Sequence, residues 1–457
     1  MIESVRRVTK QVFGTGPVGD SSPAEDHAIA PDTIALVPPR FGSGVVGGAE
    51  AVVADMARGL AARGLPVEIL TTCARDHFTW ANEFAPGVSE PEVGVIVRRF
   101  PTETPGSSID RDRIGSRILN GETVTIQDQQ RWVNASLRCS GLWHHVFDHG
   151  HRYRALVFAP YMFWTTYAVS QIHGRRSIVM PCLHDEPPAY LDIFRSMVEG
   201  AGAVWFLTEP EQRLASRLYN LPPRTEVVGA PVSAPVTYDP DGFRAKFGIT
   251  GPFVYYAGRR EWGKGWDDLL AGFAEFTRRR RSSVVDGSSG LKLVTTGVGP
   301  VTPPLGCETD VIDLGLLSEQ DRDGAMAAAT AYVQPSAMES FSLTVLEAML
   351  AGTPVLANRA SDVVSWHLER SAAGLTFSDR AELVECLTFV ADRPDAAQAL
   401  ARSGRDYVVA NYDPTTVFER LERSLDRWFP TSDGEGAEVD EAQTAKASDE
   451  RVEIGAK

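Results

Sequence analysis

Short apolar runs alternate with stretches of helical periodicity along most of this chain, and this alternation limits the possible folds more than any other feature. The first apolar run begins at Thr33, and a helical stretch from Ala49 to Arg63 follows it. Strands separated by helices pair in parallel, so the pattern predicts parallel sheets with helices on both faces. At 457 residues the chain is too long for one ordinary core. We therefore expect an α/β protein with two domains.

The pattern runs twice, and a proline-rich segment from Ala230 to Pro240 separates the two series. Strands are predicted at 33–38, 67–71, 94–98, 155–159, 177–181, 203–207 and 225–228, and then at 252–257, 291–295, 311–314, 331–334 and 355–357. The predicted divisions are a disordered tail (1–32), a first Rossmann-like domain (33–235), a linker (236–250), a second Rossmann-like domain (251–412), a helix crossing back to the first domain (413–429) and an acidic disordered tail (430–457). The roles of residues 101–138 and of the acidic tail stay open.

Composition argues against several classes of protein. The net charge of −15 disfavours a nucleic-acid-binding protein, which needs a basic face. No run reaches the roughly 18–20 apolar residues of a membrane-spanning helix. The N-terminus lacks the apolar segment of a secretory signal, and the five cysteines lack CxxC spacing. We expect a cytoplasmic protein with reduced, buried thiols.

Two glutamates frame a turn from a predicted strand into a helix. Glu339 lies at the turn, beside the positive end of the helix dipole, and Glu347 lies about two turns inside the helix. The arrangement resembles the EX7E element of retaining nucleotide-sugar glycosyltransferases, and the sequence is similar to family 4 of those enzymes. A glycoside hydrolase is disfavoured because eight helical steps span about 12 Å, whereas hydrolase carboxyl pairs lie about 5–9.5 Å apart.

A basic loop follows the first strand of the second domain. Arg259 can bind a phosphate through two hydrogen bonds, and Lys264 acts as a point charge. An exposed basic loop that opens a helix is the alternative. The spacing resembles the GR…KG element of family 4, and this likeness implies that both residues hold the donor diphosphate. With the free N–H groups around Phe341, Ser342 and Leu343, they would stabilise the departing phosphate.

The family resemblance implies the GT-B fold, in which two Rossmann-like, doubly wound domains face each other across a cleft. By the same resemblance, residues 33–235 form the acceptor domain and residues 251–412 the nucleotide-sugar-binding domain. The resemblance also implies that Glu339 contacts hydroxyls of the donor sugar and that Glu347 contacts the ribose. His184 follows a strand and resembles a family histidine near the anomeric centre or acceptor; a structural loop histidine is the alternative. We take Glu339, His184, Arg259 and Lys264 as the catalytic residues.

Further donor-site residues are expected at glycine turns. Gly47 and Gly48 match the GG loop of family 4, although they could serve only a tight strand-to-helix turn. Gly297 resembles the family's glycine turn near the nucleotide. Leu317, or its neighbour Leu316, could line the base pocket, with core packing as the alternative.

The sequence therefore predicts a cytoplasmic, retaining hexosyltransferase that uses a UDP- or GDP-linked sugar and a front-face mechanism. The acceptor would be a glycan, a lipid-linked molecule or a small molecule, with a glycoconjugate as product. No metal or other cofactor is expected, since the Asp-Arg-Asp runs at Asp110 and Asp321 read as solvated. The alternatives are a GT-B phosphorylase or hydrolase and a non-catalytic GT-B scaffold. The basic run Arg278 to Arg281 leaves open a peripheral contact with the inner membrane face. Donor base, linkage and oligomeric state stay undetermined.

Overall fold

The computed structural model describes residues 28–92, 94–103, 108–283 and 290–431. Within these ranges the chain forms two compact units. The first comprises described residues up to Phe206, residues Leu214–Val228 and the chain from Phe418 onward; the second comprises Leu207–Arg213 and Gly229–Val417. Residues 1–27 and 432–457, most of the two predicted tails, lie outside the described residues.

The first unit is built on an eight-stranded sheet with the order β3-β4-β2-β1-β5-β6-β7-β8. Its strands are β1 (Ile34–Val37), β2 (Val67–Thr72), β3 (Gly87–Glu92), β4 (Val95–Phe100), β5 (Ala155–Phe158), β6 (Ser177–Val179), β7 (Ala203–Phe206) and β8 (Thr225–Val227). All neighbours are parallel except β3, which runs antiparallel to β4. The strand order doubles back at β1, as in a doubly wound Rossmann-like sheet.

Helices cover this sheet because its central strands are buried on both faces. They are α1 (Gly48–Ala62), α2 (Ser108–Leu119), α3 (Ile126–Ser136), α4 (Ser140–His149), α5 (Trp164–Val169), α6 (Asp192–Glu199) and α7 (Glu209–Leu218). Every residue of β1, β2 and β5 is buried, which explains the unbroken apolar character of β1 and β5 in the sequence. In β2, the buried carboxylate of Glu68 is ion-paired with Arg98. The open segment 101–138 forms α2 and α3, whose Ile114 and Val133 join the core.

The second unit is built on a six-stranded, wholly parallel sheet with the order β11-β10-β9-β12-β13-β14. Its strands are β9 (Phe253–Ala257), β10 (Lys292–Thr296), β11 (Val311–Asp313), β12 (Ala331–Gln334), β13 (Val355–Asn358) and β14 (Gly374–Phe377). Its helices are α8 (Pro240–Phe247), α9 (Trp266–Ser283), α10 (Glu319–Ala328), α11 (Leu343–Leu350), α12 (Asp362–Ser371), α13 (Arg380–Asp392) and α14 (Pro394–Tyr412).

The last helix, α15 (Pro414–Trp428), contributes its residues from Phe418 onward to the first unit. Trp205 Nε1 donates to Ser424 Oγ at 2.6 Å, and the Arg154 guanidinium donates to Asp426 Oδ1 at 2.6 Å. The ring of Phe418 lies so close to Gly59 of α1 that a Cβ at residue 59 would lie 1.7 Å from it. A glycine on α1 therefore makes room for the returning chain.

The structure departs from the sequence predictions in three elements. The strands β3 and β14 were not predicted, since Gly87–Glu92 carries a proline and three polar residues and Gly374–Phe377 is short. Helix α8 lies inside the segment predicted to be a linker, and its signal was overlooked: Asp239 caps it through Gly242 N at 2.8 Å and Pro240 opens it.

Helices in the described part of the chain are too short, or too polar, to cross a membrane.

Candidate functional site

Lys264 and Glu339, predicted from separate motifs, meet in the second unit. Lys264 Nζ lies 2.9 Å from Glu339 Oε1, and the side chains are 28% and 12% exposed. Lys264 ends the short 3-10 turn Trp262–Lys264 after β9, whereas Glu339 lies in the loop between β12 and α11. Because β9 and β12 are adjacent and parallel, their carboxyl ends open at the same edge of the sheet. The pairing places a cation beside a carboxylate where a ligand of this fold class binds.

Gly265 allows this approach. Its φ is +69°, and a Cβ at this position would lie 2.4 Å from the Pro335 carbonyl oxygen. Only glycine tolerates both the left-handed backbone and the close contact. The glycine therefore holds the Lys264 loop against the turn that carries Glu339.

Arg259 and Arg260 are neighbours in sequence but differ in environment. The Arg259 side chain is 40% exposed and contacts Glu261 Oε1 at 3.3 Å, while Tyr256 OH donates to the Arg259 carbonyl at 2.6 Å. The Arg260 side chain is 1% exposed and ion-paired to Asp313. Arg259 can therefore reach a ligand, whereas Arg260 belongs to the framework.

Arg260 braces a glycine turn that the sequence analysis expected near the nucleotide. Its guanidinium donates to the carbonyls of Gly297 at 3.1 Å and Gly299 at 2.9 Å, and to Thr295 Oγ1 at 3.2 Å. Gly297 has φ +128°, and a Cβ there would lie 2.0 Å from the Gly258 carbonyl oxygen. The ends of β9 and β10 are thus packed backbone against backbone, and the loop that carries Arg259 rests on this turn.

Glu347 lies on α11, where its Oε1 accepts from the Arg322 guanidinium of α10 at 3.3 Å. The glutamate is 23% exposed and the arginine 36% exposed. Burial acts to lower the pKa of Arg322, but the negative groups around it, led by Glu347, outweigh that effect. The pKa of Arg322 is therefore raised above its usual value. Sequence reasoning missed Arg322, which was set aside as part of an Asp-Arg-Asp run. Glu347 and Glu339 contact different cations, Arg322 and Lys264 respectively.

The start of α11 has no side-chain cap. Ser342, at its N-cap position, has φ +63° and ψ +64°, and its hydroxyl accepts from Gln334 Nε2 at 3.0 Å instead of capping the helix. The first N–H groups of a helix have no partner within the helix. Val345 N already donates to the Ser342 carbonyl at 3.0 Å, so the N–H groups of Leu343 and Thr344 are the ones available to an anion. The Phe341 ring, in contrast, is 3% exposed and packs in the core, so only its backbone can serve the site.

The two leucines predicted for a base pocket lie after β11. Leu316 is 66% exposed, whereas Leu317 is half-buried. The preceding Gly315 carbonyl accepts from Gly297 N at 2.8 Å, so the leucine turn and the glycine turn are joined.

His184, Gly47 and Gly48 belong to the first unit. His184 follows β6, is 30% exposed, and has Nδ1 3.3 Å from Glu186 Oε1. Tyr161 OH donates to the same oxygen at 2.9 Å, so Glu186 holds both rings. The position of Glu186 therefore suits orientation of His184.

Gly47 precedes α1 and Gly48 begins it. A Cβ on Gly47 would lie 2.1 Å from Glu50 Oε2, whereas one on Gly48 would meet nothing within 4 Å. Glu50 is buried in an ion pair with Arg40. Gly47 therefore has a packing role, and Gly48 leaves an open approach to the backbone.

Histidine, cysteine and carboxylate side chains in the described ranges form no group of three or more that could hold a metal ion. The sites named above are therefore built from cations, carboxylates and backbone N–H groups.

Comparison with known proteins finds a family model that matches part of the second unit. Residues 251–393 match the family model described as Glycosyl transferases group 1. Residues 251–393 of this chain are therefore similar to group 1 glycosyltransferases. The match includes Arg259, Lys264, Glu339 and Glu347, and the predicted resemblance to family 4 glycosyltransferases is confirmed.

Relatives and solved structures agree with this assignment. The chain is 28% identical over 340 residues to D-inositol 3-phosphate glycosyltransferase of Frankia alni, covering 69% of this chain and 78% of that protein. Sucrose-phosphate synthase of Thermosynechococcus elongatus aligns with a TM-score of 0.65 at 18% identity over 86% of this chain and 99% of the synthase. Anabaena HepE in complex with UDP-glucose aligns with a TM-score of 0.62 at 17% identity, covering 86% and 99% of the two chains.

These structural likenesses establish the fold of the chain. The prediction of two Rossmann-like domains of the GT-B class is confirmed.

Proposed function

We propose that this glycosyltransferase moves a hexosyl group from a nucleoside-diphosphate sugar to a hydroxyl acceptor, with retention at the anomeric carbon and without a metal ion. The observation that carries the proposal is the 2.9 Å contact between Lys264 and Glu339 beside the uncapped start of α11. A diphosphate leaving group needs cations and N–H donors, and a sugar needs hydrogen-bond acceptors for its hydroxyls. Both kinds of group lie together here.

In the proposed front-face reaction, the bond between the anomeric carbon and the β-phosphate oxygen breaks as the acceptor oxygen bonds to the same face. The acceptor's hydroxyl proton passes to the departing phosphate oxygen, so no protein nucleophile is required. Lys264, Arg259 and the N–H groups at Ser342 and Leu343 would stabilise the charge that develops on that phosphate. Glu339 would hold donor-sugar hydroxyls, and Glu347 the ribose.

Uracil is the first base to test, because HepE was solved with UDP-glucose and with UDP. The acceptor is proposed to be a small polyhydroxylated molecule, since the names of D-inositol 3-phosphate glycosyltransferase and sucrose-phosphate synthase refer to such compounds. Glycan and lipid-linked acceptors remain to be compared with it directly.

The test is calorimetric titration with UDP, GDP and ADP in EDTA. We expect tight binding of one nucleotide without metal, and loss of at least about tenfold in affinity for Lys264→Met, since a charged hydrogen bond contributes about 1.5–3 kcal/mol. Lys246→Met is the matched control, because Lys246 also forms an ion pair, with Asp321 at 2.7 Å, but on the exposed face of α8. Wild-type protein that binds none of the three nucleotides would contradict the proposal.

Stereochemistry needs its own measurement. Proton NMR of the first product formed from the nucleotide sugar that binds should show the anomeric configuration of the donor. Inversion at that carbon would rule out the front-face reaction.

A further inference from the structure

A buried histidine lies directly behind the start of α11. His367, on α12, is 0% exposed and packs its ring against Phe341, Tyr407 and Tyr412. Its Nε2 lies 3.1 Å from the Phe341 carbonyl oxygen, and its Nδ1 lies 2.9 Å from Tyr407 OH. All of these residues belong to the second unit. The sequence analysis did not single out any of the three polar side chains.

The partners of His367 determine where its proton lies. A carbonyl oxygen can only accept, so Nε2 carries the hydrogen and donates it to Phe341. Burial lowers the pKa of His367 to about 3, so the ring is neutral and Nδ1 accepts from the Tyr407 hydroxyl. Tyr407 OH lies 3.4 Å from Tyr412 OH. Both ring nitrogens are thus satisfied, and the Phe341 carbonyl fixes the tautomer.

The hydrogen bond to Phe341 also fixes a neighbouring N–H group. In a trans peptide the C=O and the following N–H point in opposite directions. Since the Phe341 carbonyl points to His367 in the core, the Ser342 N–H points away from the core. That peptide needs support, because Ser342 has φ +63°, a left-handed conformation that is unfavourable for a residue other than glycine. If the peptide turned over, a carbonyl oxygen would replace the N–H donor.

We propose that His367 is a positioning residue of the donor site, which holds the Phe341–Ser342 peptide so that the Ser342 N–H faces the donor diphosphate. This inference rests on the proposed function. Three residues separate Glu339, which is proposed to contact the donor sugar, from Leu343, where the uncapped helix α11 begins. The peptide that His367 holds lies within this segment. His367 acts through the backbone and never touches the substrate.

The test compares two side chains of similar length at position 367. Methionine has no N–H donor and fills irregular space readily, whereas glutamine keeps an amide N–H for the Phe341 carbonyl. Wild type, His367→Met and His367→Gln are titrated with UDP and with uridine in EDTA. Uridine lacks the diphosphate, so the ratio of the two affinities isolates the diphosphate contact from general stability. Circular dichroism checks that each variant is folded.

We expect His367→Met to weaken UDP about tenfold while uridine changes less than about twofold, and His367→Gln to keep UDP within about threefold. An unchanged ratio in the folded Met variant would overturn the inference, as would equal losses in Met and Gln, which would indicate packing alone. His367→Phe, which keeps a ring but no donor, replaces Met if Met does not fold, with the same expectations. Wild-type protein that binds neither UDP nor another nucleoside diphosphate fails earlier, and removes the proposed function together with this inference.

Discussion

The adjacent pair Arg259 and Arg260 gives a sharp test of how the site is built. We compare Arg259→Met with Arg260→Met, which remove the same guanidinium from successive positions. The Arg260 side chain is 1% exposed and donates to Thr295, Gly297, Gly299 and Asp313. The Arg259 side chain is 40% exposed and has one carboxylate neighbour, Glu261, which is 43% exposed.

The magnitudes follow from these environments. Removing one partner of a buried ion pair costs about 3–5 kcal/mol when the remaining charge stays buried. Asp313 is 38% exposed and can regain water, so the loss for Arg260→Met should be lower, about 2–3 kcal/mol in the free energy of unfolding. Arg259→Met should change it by less than about 0.5 kcal/mol, as expected for an exposed pair.

Urea unfolding followed by circular dichroism gives the stability of each variant, and calorimetry gives its affinity for UDP and uridine. Arg259→Met should remain stable and lose at least about tenfold in UDP affinity, with uridine little changed. Arg260→Met should show the larger loss in the free energy of unfolding. Equal stability losses in the two variants would refute the assignment of Arg260 to the framework, and equal losses of UDP and uridine in Arg259→Met would refute its role at the diphosphate.

Three further predictions can be checked with the same protein. Glu339→Gln should abolish sugar transfer while UDP still binds, because the amide keeps the shape but not the charge that orients donor hydroxyls; transfer near the wild-type rate would contradict the role of Glu339. The pKa of His367 falls from 6.5 to about 3 on folding, so between these pH values the unfolded chain binds more protons than the native protein, and stability drops as the pH falls below 6.5. His367→Gln should reduce the dependence of the free energy of unfolding on pH by about 1 kcal/mol per pH unit. Urea titrations that give the same pH dependence for both proteins would refute this prediction. All five cysteines are buried, and burial raises the pKa of Cys139 to about 12, so native protein should resist thiol reagents that label it fully in urea; rapid native labelling would contradict this packing.

The sequence was most informative where a ligand dictates side-chain chemistry. Arg259, Lys264, Glu339 and Glu347 were recognised because their residue types and spacing resemble motifs of family 4 glycosyltransferases. The structure brings Lys264 and Glu339 into contact and places Glu347 against Arg322. Their roles toward a donor stay predictions until nucleotide binding is measured.

Residues that act through the backbone gave no comparable signal. The sequence does not distinguish Arg260 from its neighbour Arg259 or His367 from other helix residues. Burial and hydrogen-bond partners depend on chain segments that are far away in sequence. Gly265 shows the same limit: its sequence neighbours indicate a loop, but its closeness to Pro335 is visible only in three dimensions.

The sequence by itself determined the α/β class, the repeated Rossmann-like pattern and the positions of the basic loop and of the two motif glutamates. Local periodicity and charge carry that information, because strand and helix faces must match a core and a diphosphate requires cations. Tertiary structure decided which of two neighbouring arginines is buried, which carboxylate pairs with Lys264 and which peptide His367 holds. Those choices depend on parallel strands bringing distant loops to one sheet edge, where burial and hydrogen bonding give each side chain its role.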